Sequence, residues 1–368
     1  MSPVGDELAV DVVVTNHNYG RFLAEALESA CAQSHPAVRV IAVDDGSTDE
    51  SRTILEGFAG RVEVVLQDRG GQAAALNAGF ERCRGDVLVL LDADDRLRPD
   101  AASAVAAAFA ADPGLAKVQF RMEVVDAVGR PTGETKPVPH LSPPQGDVQG
   151  AELAHPFDLP WLPGGGTAFA AEAIRRILPI PVADFPRCGA DWYLVHLTAL
   201  LGRAAYLDRV CADYRVHGGN GYELNRSQLS LDHVRESIRF AAATTRALER
   251  LADEQGLSRP SRILSVADLA NRLISLRLDP QQHPISSDGR AGLLADATRA
   301  IKRRSDVSWS MKTLFLAWFT TMAAAPRALA RPLAELFLFP ERRRRLNGVL
   351  GRLQRGAGEA GGSGAAGA

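Results

Sequence analysis

Residues 85–95 read GDVLVLLDADD. Val87 through Leu91 form an unbroken apolar run of strand length, and the run stops at three carboxylates, Asp92, Asp94 and Asp95. An uninterrupted apolar strand suits a parallel sheet covered on both faces. Ligands of such sheets bind beyond the carboxyl ends of the strands. Asp92 and Asp94, on alternate residues and hence on one side of an extended chain, therefore stand where a bound molecule would lie. Carboxylates in that position call for a counter-charge. A divalent cation that takes one or two carboxylates and fills its other positions with phosphate oxygens and water would supply it. A D-x-D by itself also reads as a solvated acidic turn, so the surrounding chain has to decide.

Upstream, Val10 to Val14 is a short β-branched run that leads through the polar turn Thr15 to Gly20 into a helix from Arg21 to about Gln33. Val38 to Val43 is a second strand and ends in Asp44-Asp45-Gly46-Ser47-Thr48-Asp49, where Ser47 or Thr48 can cap a helix beginning near Glu50. A third strand, Val62 to Leu66, passes through Gly70-Gly71 to a helix from Gln72 to Cys83. Repeated strand-helix units before Gly85 predict an α/β architecture with a mainly parallel central sheet flanked by helices. Right-handed crossovers then bring Asp45 and Asp94 to one sheet edge. Downstream come a helix over 99–111 and a strand over 116–125. The Pro- and Gly-rich stretch 129–150 lacks any period and reads as a functional loop or a disordered excursion. The triple glycine 164–166 leads into a small strand, Asp191 opens an apolar helix, and 204–207 with 210–215 read as a closing strand pair before His217. As isolated features, Asp191 is a first-turn acid that favours the helix dipole and His217 is a surface residue.

At 368 residues, one large domain with an appendage is expected. A net charge of −2 gives no nucleic-acid signal, and 46% apolar with 23% charged residues is a soluble composition rather than a polytopic or disordered one. Four scattered cysteines without a C-x-x-C pair read as reduced thiols of a cytosolic protein. The start of the chain enters its first strand with no basic stretch and apolar core ahead of it, so no signal peptide is expected.

Six stretches, VDVVVTNHNYGRFLAEALESACAQ, VIAVDDGSTDES, GGQAAALNAGFERCRGD, VLLDADDRLRPD, GADWYLVHLTALLG and YRVHGGN, occur in that order over about residues 10–220. Together they resemble the family 2 inverting glycosyltransferases with the glycosyltransferase-A fold. The resemblance implies that Thr15, Asn18 and Asp45 hold the base and ribose of a nucleotide-sugar, with Asp92 continuing that contact and Arg69 meeting base or phosphate. It implies that Asp94 binds Mn²⁺ or Mg²⁺ bridging the diphosphate, with His217 as a further metal or phosphate contact, and that Asp191 is the general base. Trp161, Gly165 and Trp192 are expected on the acceptor side. Three departures stand out. Ala190 precedes Asp191 where family members often have Glu, Asp68-Arg69 precedes Gly70 where many have Asn, and Asp95 beside Asp94 leaves the metal ligand open by one residue. No G-x-G-x-x-G follows the first strand, which disfavours a plain dinucleotide-binding domain.

The expected division is a catalytic domain over 1–222, a helical region over 223–355, and a disordered Gly/Ala tail over 356–368. Helical apolar spacing marks 224–255 and 261–278, and His283 reads as a loop residue without a partner. Residues 309–325 are apolar nearly all round, and a second apolar piece, 333–339, is separated from them by Pro326, Arg327, Arg331 and Pro332. Neither reaches the length of a spanning helix. An in-plane membrane contact on the cytoplasmic face and burial against the catalytic domain or a dimer partner both fit 309–339. The function expected is a metal-dependent inverting transfer from a UDP-sugar to a saccharide or lipid-linked acceptor in bacterial surface-polysaccharide synthesis. A GDP- or dTDP-sugar donor, or a non-catalytic nucleotide-sugar-binding or scaffold protein, is the alternative.

Overall fold

The computed structural model describes residues 7–139, 141–220 and 229–339. β1 (Val10–Asn16), α1 (Gly20–Cys31), β2 (Val38–Asp45), α2 (Ser51–Gly57), β3 (Glu63–Gln67), α3 (Gln72–Arg82) and β4 (Val87–Asp92) alternate as the pattern of apolar runs and turns predicts. The four strands are parallel neighbours in the order β3-β2-β1-β4. Alternate residues of the apolar runs enter opposite cores. Val12, Val14, Val87, Val89 and Leu91 join Leu23 and Leu27 of α1, whereas Val13, Leu88 and Leu90 join Leu76 and Phe80 of α3. With helices on both faces, β4 has no side that tolerates a polar residue until the strand ends.

β5 (Arg96–Leu97), α4 (Ala101–Ala111), β6 (Leu115–Val125), β7 (Pro131–Lys136), α5 (Gln149–Ala154), β8 (Thr167–Ala170), α6 (Ala171–Arg175), α7 (Ala190–Thr198) and β9 (Arg203–Arg215) extend the same layer. The nine-stranded sheet runs β3-β2-β1-β4-β8-β6-β9-β5, with β7 beside β6. β8 is antiparallel to both β4 and β6, so it carries the Gly164–Gly166 turn back toward the carboxyl end of β4.

Several local expectations are corrected. The 129–150 stretch is not structureless: β7 pairs antiparallel with β6, and Gly146 bridges to Ala204. The closing strand pair is one strand, β9, because β6 accommodates the polar break at Asp208-Arg209 by register shifts, and Asp208 pairs with Arg121. Ser47 does not cap α2. Its hydroxyl accepts the Asn18 N–H at 2.9 Å and the Asn16 amide at 3.0 Å, tying the ends of β1 and β2 together.

Beyond this layer lie α8 (Leu231–Glu254), α9 (Val266–Leu278), α10 (Arg290–Arg303), α11 (Trp309–Ala324) and α12 (Arg327–Leu338). The chain divides into two compact units: the described part of Met1–Tyr222 with Ser237–Asp268, and the described part of Glu223–Glu236 with Leu269–Ala368. Within the first unit Phe240, Ala247, Leu248 and Leu251 of α8 share a core with Phe185, Tyr193 and Leu194. Within the second, His283 has a partner after all, Asp288 at 3.0 Å, which also binds Arg272. Pro332 does not end α12 but sits inside it. The Arg342 to Arg345 run and the 356–368 tail lie outside the described residues. All four cysteines are free thiols, and burial pushes Cys83 up to about 12 and Cys211 up to about 11, far from reactive thiolates.

Candidate active site

Asp94 and Asp95, just past β4, are buried, while Asp92 keeps part of its surface open. Asp94 Oδ2 lies 2.9 Å from His217 Nε2 and accepts the Asn220 amide at 3.2 Å. His217 Nδ1 takes the Gly219 N–H at 3.1 Å and faces the Arg21 guanidinium at 2.9 Å. Those two donors fix the ring so that Nε2 is the atom turned toward Asp94. Asp95 Oδ1 accepts the Arg215 N–H at 2.8 Å, and Arg215 Nε donates to the Asp94 carbonyl at 2.7 Å. The end of β9 thus clamps the acidic turn, and Arg215 and Asn220 are the members of that clamp to which sequence reading gave no role.

Burial pushes Asp92 up to about 8, with the charges of Asp94 and Asp191 adding to the effect. Burial, then Asp94 and Asp92, hold Asp95 well above the usual carboxylate range against the Arg215 N–H. Burial and the neighbouring carboxylates both disfavour the charged forms here, and a cation entering the turn would favour them. Among the described residues no three His, Cys, Asp or Glu side chains form a complete metal cage. Asp94 and His217 are a two-ligand set of the kind that a cation shared with a diphosphate uses. The donor chemistry fits a divalent ion, and the imidazole suits Mn²⁺ better than Mg²⁺.

The Gly164–Gly166 turn joins this cluster to Asp191. A Cβ on Gly165 would lie 3.4 Å from Asp95 Oδ2 and 3.6 Å from Asp92 Oδ2, and one on Gly164 would lie 2.8 Å from the Asp191 Cβ. Asp191, in the first turn of α7, accepts the Gly164 N–H at 3.0 Å. Its carboxyl is raised above the ordinary value by burial, opposed by the Gly164 and Trp192 N–H groups. Residues 99 positions apart, the DADD end and the α7 start, thus converge on one glycine turn, and a Cβ on Gly165 would come into van der Waals contact with two of the carboxylates.

The ends of β1 and β2 form the adjoining wall. Thr15 pairs in register with both Val43 and Asp92. Asn18 adopts the left-handed region at φ 59° and accepts the Thr48 N–H at 2.8 Å. Asp45 accepts from Gly70 N and Gln67 Nε2, both at 2.7 Å, and from Gly71 N at 2.8 Å, so its carboxylate braces the Gly70-Gly71 turn and has about one of its four acceptor positions left. Arg69 is exposed and meets His17 Nε2, while His17 Nδ1 contacts the Asp45 carbonyl at 2.7 Å. His17 had no role in the sequence reading, and only the approach of the Arg69 loop reveals it. Of the expected acceptor residues, Trp192 is half-buried beside Asp191, but Trp161 is buried and gives its indole N–H to Glu152 at 2.8 Å.

The Glycosyl transferase family 2 profile matches residues 11–149. An uncharacterized glycosyltransferase of Nostoc sp. is 30% identical over 224 residues, 58% of this chain and 67% of that protein. The chain belongs to glycosyltransferase family 2. An undecaprenyl-phosphate 4-deoxy-4-formamido-L-arabinose transferase of Pseudomonas fluorescens is 43% identical over 99 residues, which are 25% of this chain and 29% of that one. The solved structure of S. aureus TarS 1–349 in complex with UDP shares the fold, with TM-score 0.54, 15% identity, 90% of this chain and 91% of that chain covered.

A glycosyltransferase moves a sugar from a donor to an acceptor, and the groups around the turn have the chemistry for both halves of that event. Asp191 offers a carboxylate of raised basicity to take a hydroxyl proton, and Asp94 with His217 offers ligands for a cation that would screen a leaving diphosphate.

Proposed function

We propose that this glycosyltransferase catalyses metal-dependent inverting transfer from a UDP-sugar to a saccharide or lipid-linked acceptor. The observation that carries the reading is the Gly164-Gly165 turn, which gives its Gly164 N–H to Asp191 and has Asp92 and Asp95 within 3.6 Å of where a Gly165 Cβ would stand. A base and a diphosphate site must flank one anomeric carbon for an in-line displacement, and a turn without side chains leaves that space open. Asp191 takes the acceptor proton as attack proceeds. Thr15, Asn18, Asp45, Asp92 and Arg69 form the nucleotide wall, and Asp94 with His217 would hold the cation. The UDP bound in the TarS structure of the same fold supports the reading of UDP as donor nucleotide, and the undecaprenyl-phosphate transferase relative supports a lipid-linked acceptor. The expected setting is bacterial surface-polysaccharide synthesis at the inner face of the cytoplasmic membrane.

The deciding experiment is calorimetric titration with UDP, GDP, CDP and dTDP, each with Mn²⁺ and with EDTA. Metal-dependent UDP binding is expected. Preference for another base changes the donor, and no binding to any of them removes the reading.

No helix among the described residues is long and apolar enough to cross a membrane. On α11, however, Trp309 is 83% and Leu314 58% exposed, and the other exposed positions of the helix, Ser310, Met311, Thr313, Ala317, Thr320, Thr321 and Ala324, carry no charge. A solvated helix face normally carries charge. Lys312 lies 5.2 Å from the Trp309 ring centre, and Lys302 and Arg303 at the end of α10 are exposed. This combination of uncharged face and basic flank fits an anionic lipid surface. The full chain should float with phosphatidylglycerol-containing vesicles and lose that on Trp309→Ala with Leu314→Ser. Concentration-dependent dimerisation without recruitment to vesicles would assign the face to a second copy instead.

A further inference from the structure

α5, the segment through Trp161, and α7 meet at one carboxylate. Glu152 is fully buried, accepts the Trp161 indole N–H on Oε2 at 2.8 Å, and lies 2.6 Å from His196 Nδ1 through Oε1. A carboxylate so close to an imidazole nitrogen accepts its N–H, so Nδ1 carries the proton. His196 is fully buried as well, and its Nε2 has no hydrogen-bond partner. The ring is therefore oriented by Glu152 together with two aromatic contacts. Trp192 stacks on it with centres 5.4 Å apart and planes at 22°, and Phe157 meets it edge-on at 4.7 Å. Lys117 completes the group, its ammonium 3.2 Å from the Trp161 ring centre and donating to the Val195 carbonyl.

A buried carboxylate is expensive, and apolar side chains would fill the same space at least as stably. What they would not do is fix the rotation of an imidazole, and that rotation sets the plane of Trp192. The Trp192 indole is half-exposed, and among the described residues its N–H has no acceptor and His196 is its one aromatic partner. An indole with a free polar edge, immediately after the base, offers the flat apolar surface that a pyranose ring lies on.

We propose that Glu152 is a positioning residue for the acceptor: by orienting His196 it holds the Trp192 indole beside Asp191 as the wall on which the acceptor sugar rests. This rests on Asp191 being the base, since that puts Trp192 on the acceptor side. Neither Glu152 nor His196 touches the reacting atoms in this scheme.

Glu152→Gln keeps the size of the side chain but offers one oxygen for two donors, so either the Trp161 or the His196 bond changes. The readout is the indole region of the ¹H–¹⁵N spectrum of the full chain with UDP and Mn²⁺, with Trp192 assigned through Trp192→Phe and methyl β-D-glucopyranoside titrated in. In the wild type the Trp192 resonance should follow the glucoside while those of Trp309 and Trp318 stay still. In Glu152→Gln that resonance should move and its glucoside affinity fall roughly tenfold, within the range that small misplacements produce, while UDP binding measured by calorimetry holds. His196→Phe, which fills the same space without the bond, should behave alike and serves if Glu152→Gln does not fold. A wild-type Trp192 indifferent to the glucoside, or variants whose Trp192 resonance and glucoside response match the wild type, would overturn the proposal. Failure of the base assignment shows elsewhere, as normal turnover of Asp191→Asn, and leaves these spectra readable.

Discussion

Asp191 and Lys117 show how burial tunes single groups in opposite directions. A general base works best with a pKa near the working pH, and burial lifts the Asp191 carboxyl toward it. Because the base must be deprotonated, transfer should fall as pH drops through a value above the ordinary aspartate one, which a pH profile of kcat/KM with saturating Mn²⁺ reads. Asp191→Asn should lower kcat by about 10²- to 10⁴-fold and leave UDP affinity in place. Lys117 is buried beneath the same wall, and burial lowers it from 10.5 to about 7, the Glu152 charge opposing. Between those values the unfolded chain binds the proton that the folded chain releases. Stability contributed by this group is therefore full above about 10.5 and lost as pH falls to about 7. Urea unfolding from pH 7 to 10 should show that upward slope in the wild type and a flatter one in Lys117→Met.

At the scale of elements, turns rather than strands hold the site in register. Gly71 opens α3 at φ 84°, and a Cβ there would lie 2.2 Å from the Pro186 carbonyl oxygen. Gly71→Ala should destabilise by about 1–3 kcal/mol, the range of residues forced into sparsely populated backbone, and should weaken UDP binding because Asp45 loses its Gly71 N–H. Gly57, at the end of α2, meets nothing within 4 Å and has ordinary φ. Gly57→Ala should stabilise by about 0.4–1 kcal/mol through the unfolded chain, so thermal melts of the two variants should move in opposite directions. β9 acts likewise as a positioning element: with Arg215 on the acidic turn and His217 on Asp94, it delivers both from one strand end.

For the whole molecule, the sheet brings distant carboxylates together and leaves their charge underbalanced, which couples cation binding to stability. A ligand that binds only the folded chain raises its melting temperature by mass action. Mn²⁺ with UDP should raise the midpoint, and Asp94→Ala should cancel most of the Mn²⁺-dependent part while leaving the apo midpoint close to the wild type or higher, since it relieves repulsion at Asp92 and Asp95. A scan with UDP and EDTA separates the nucleotide contribution from that of the metal.

The apolar runs of β1, β2 and β4 and their carboxylate ends were legible in the sequence because they are local: strand length, two-sided burial and a terminal acid all appear within a dozen residues. The family followed from the order of such stretches. Parts that depend on pairing were not legible. β9 reads as two strands because its polar break is made good only by β6, and 129–150 reads as a loop because β7 has no apolar period of its own. Glu152 and His196 look like ordinary helix residues and Trp161 reads as an acceptor-side residue, and only folding brings the Trp161 indole and the His196 ring within 3 Å of the Glu152 carboxylate. Likewise Asp94 and His217 stand 123 residues apart, so their 2.9 Å contact is decided by the sheet. Backbone periodicity is a property of neighbours in sequence, whereas a charge or an imidazole takes its role from whatever the fold packs against it.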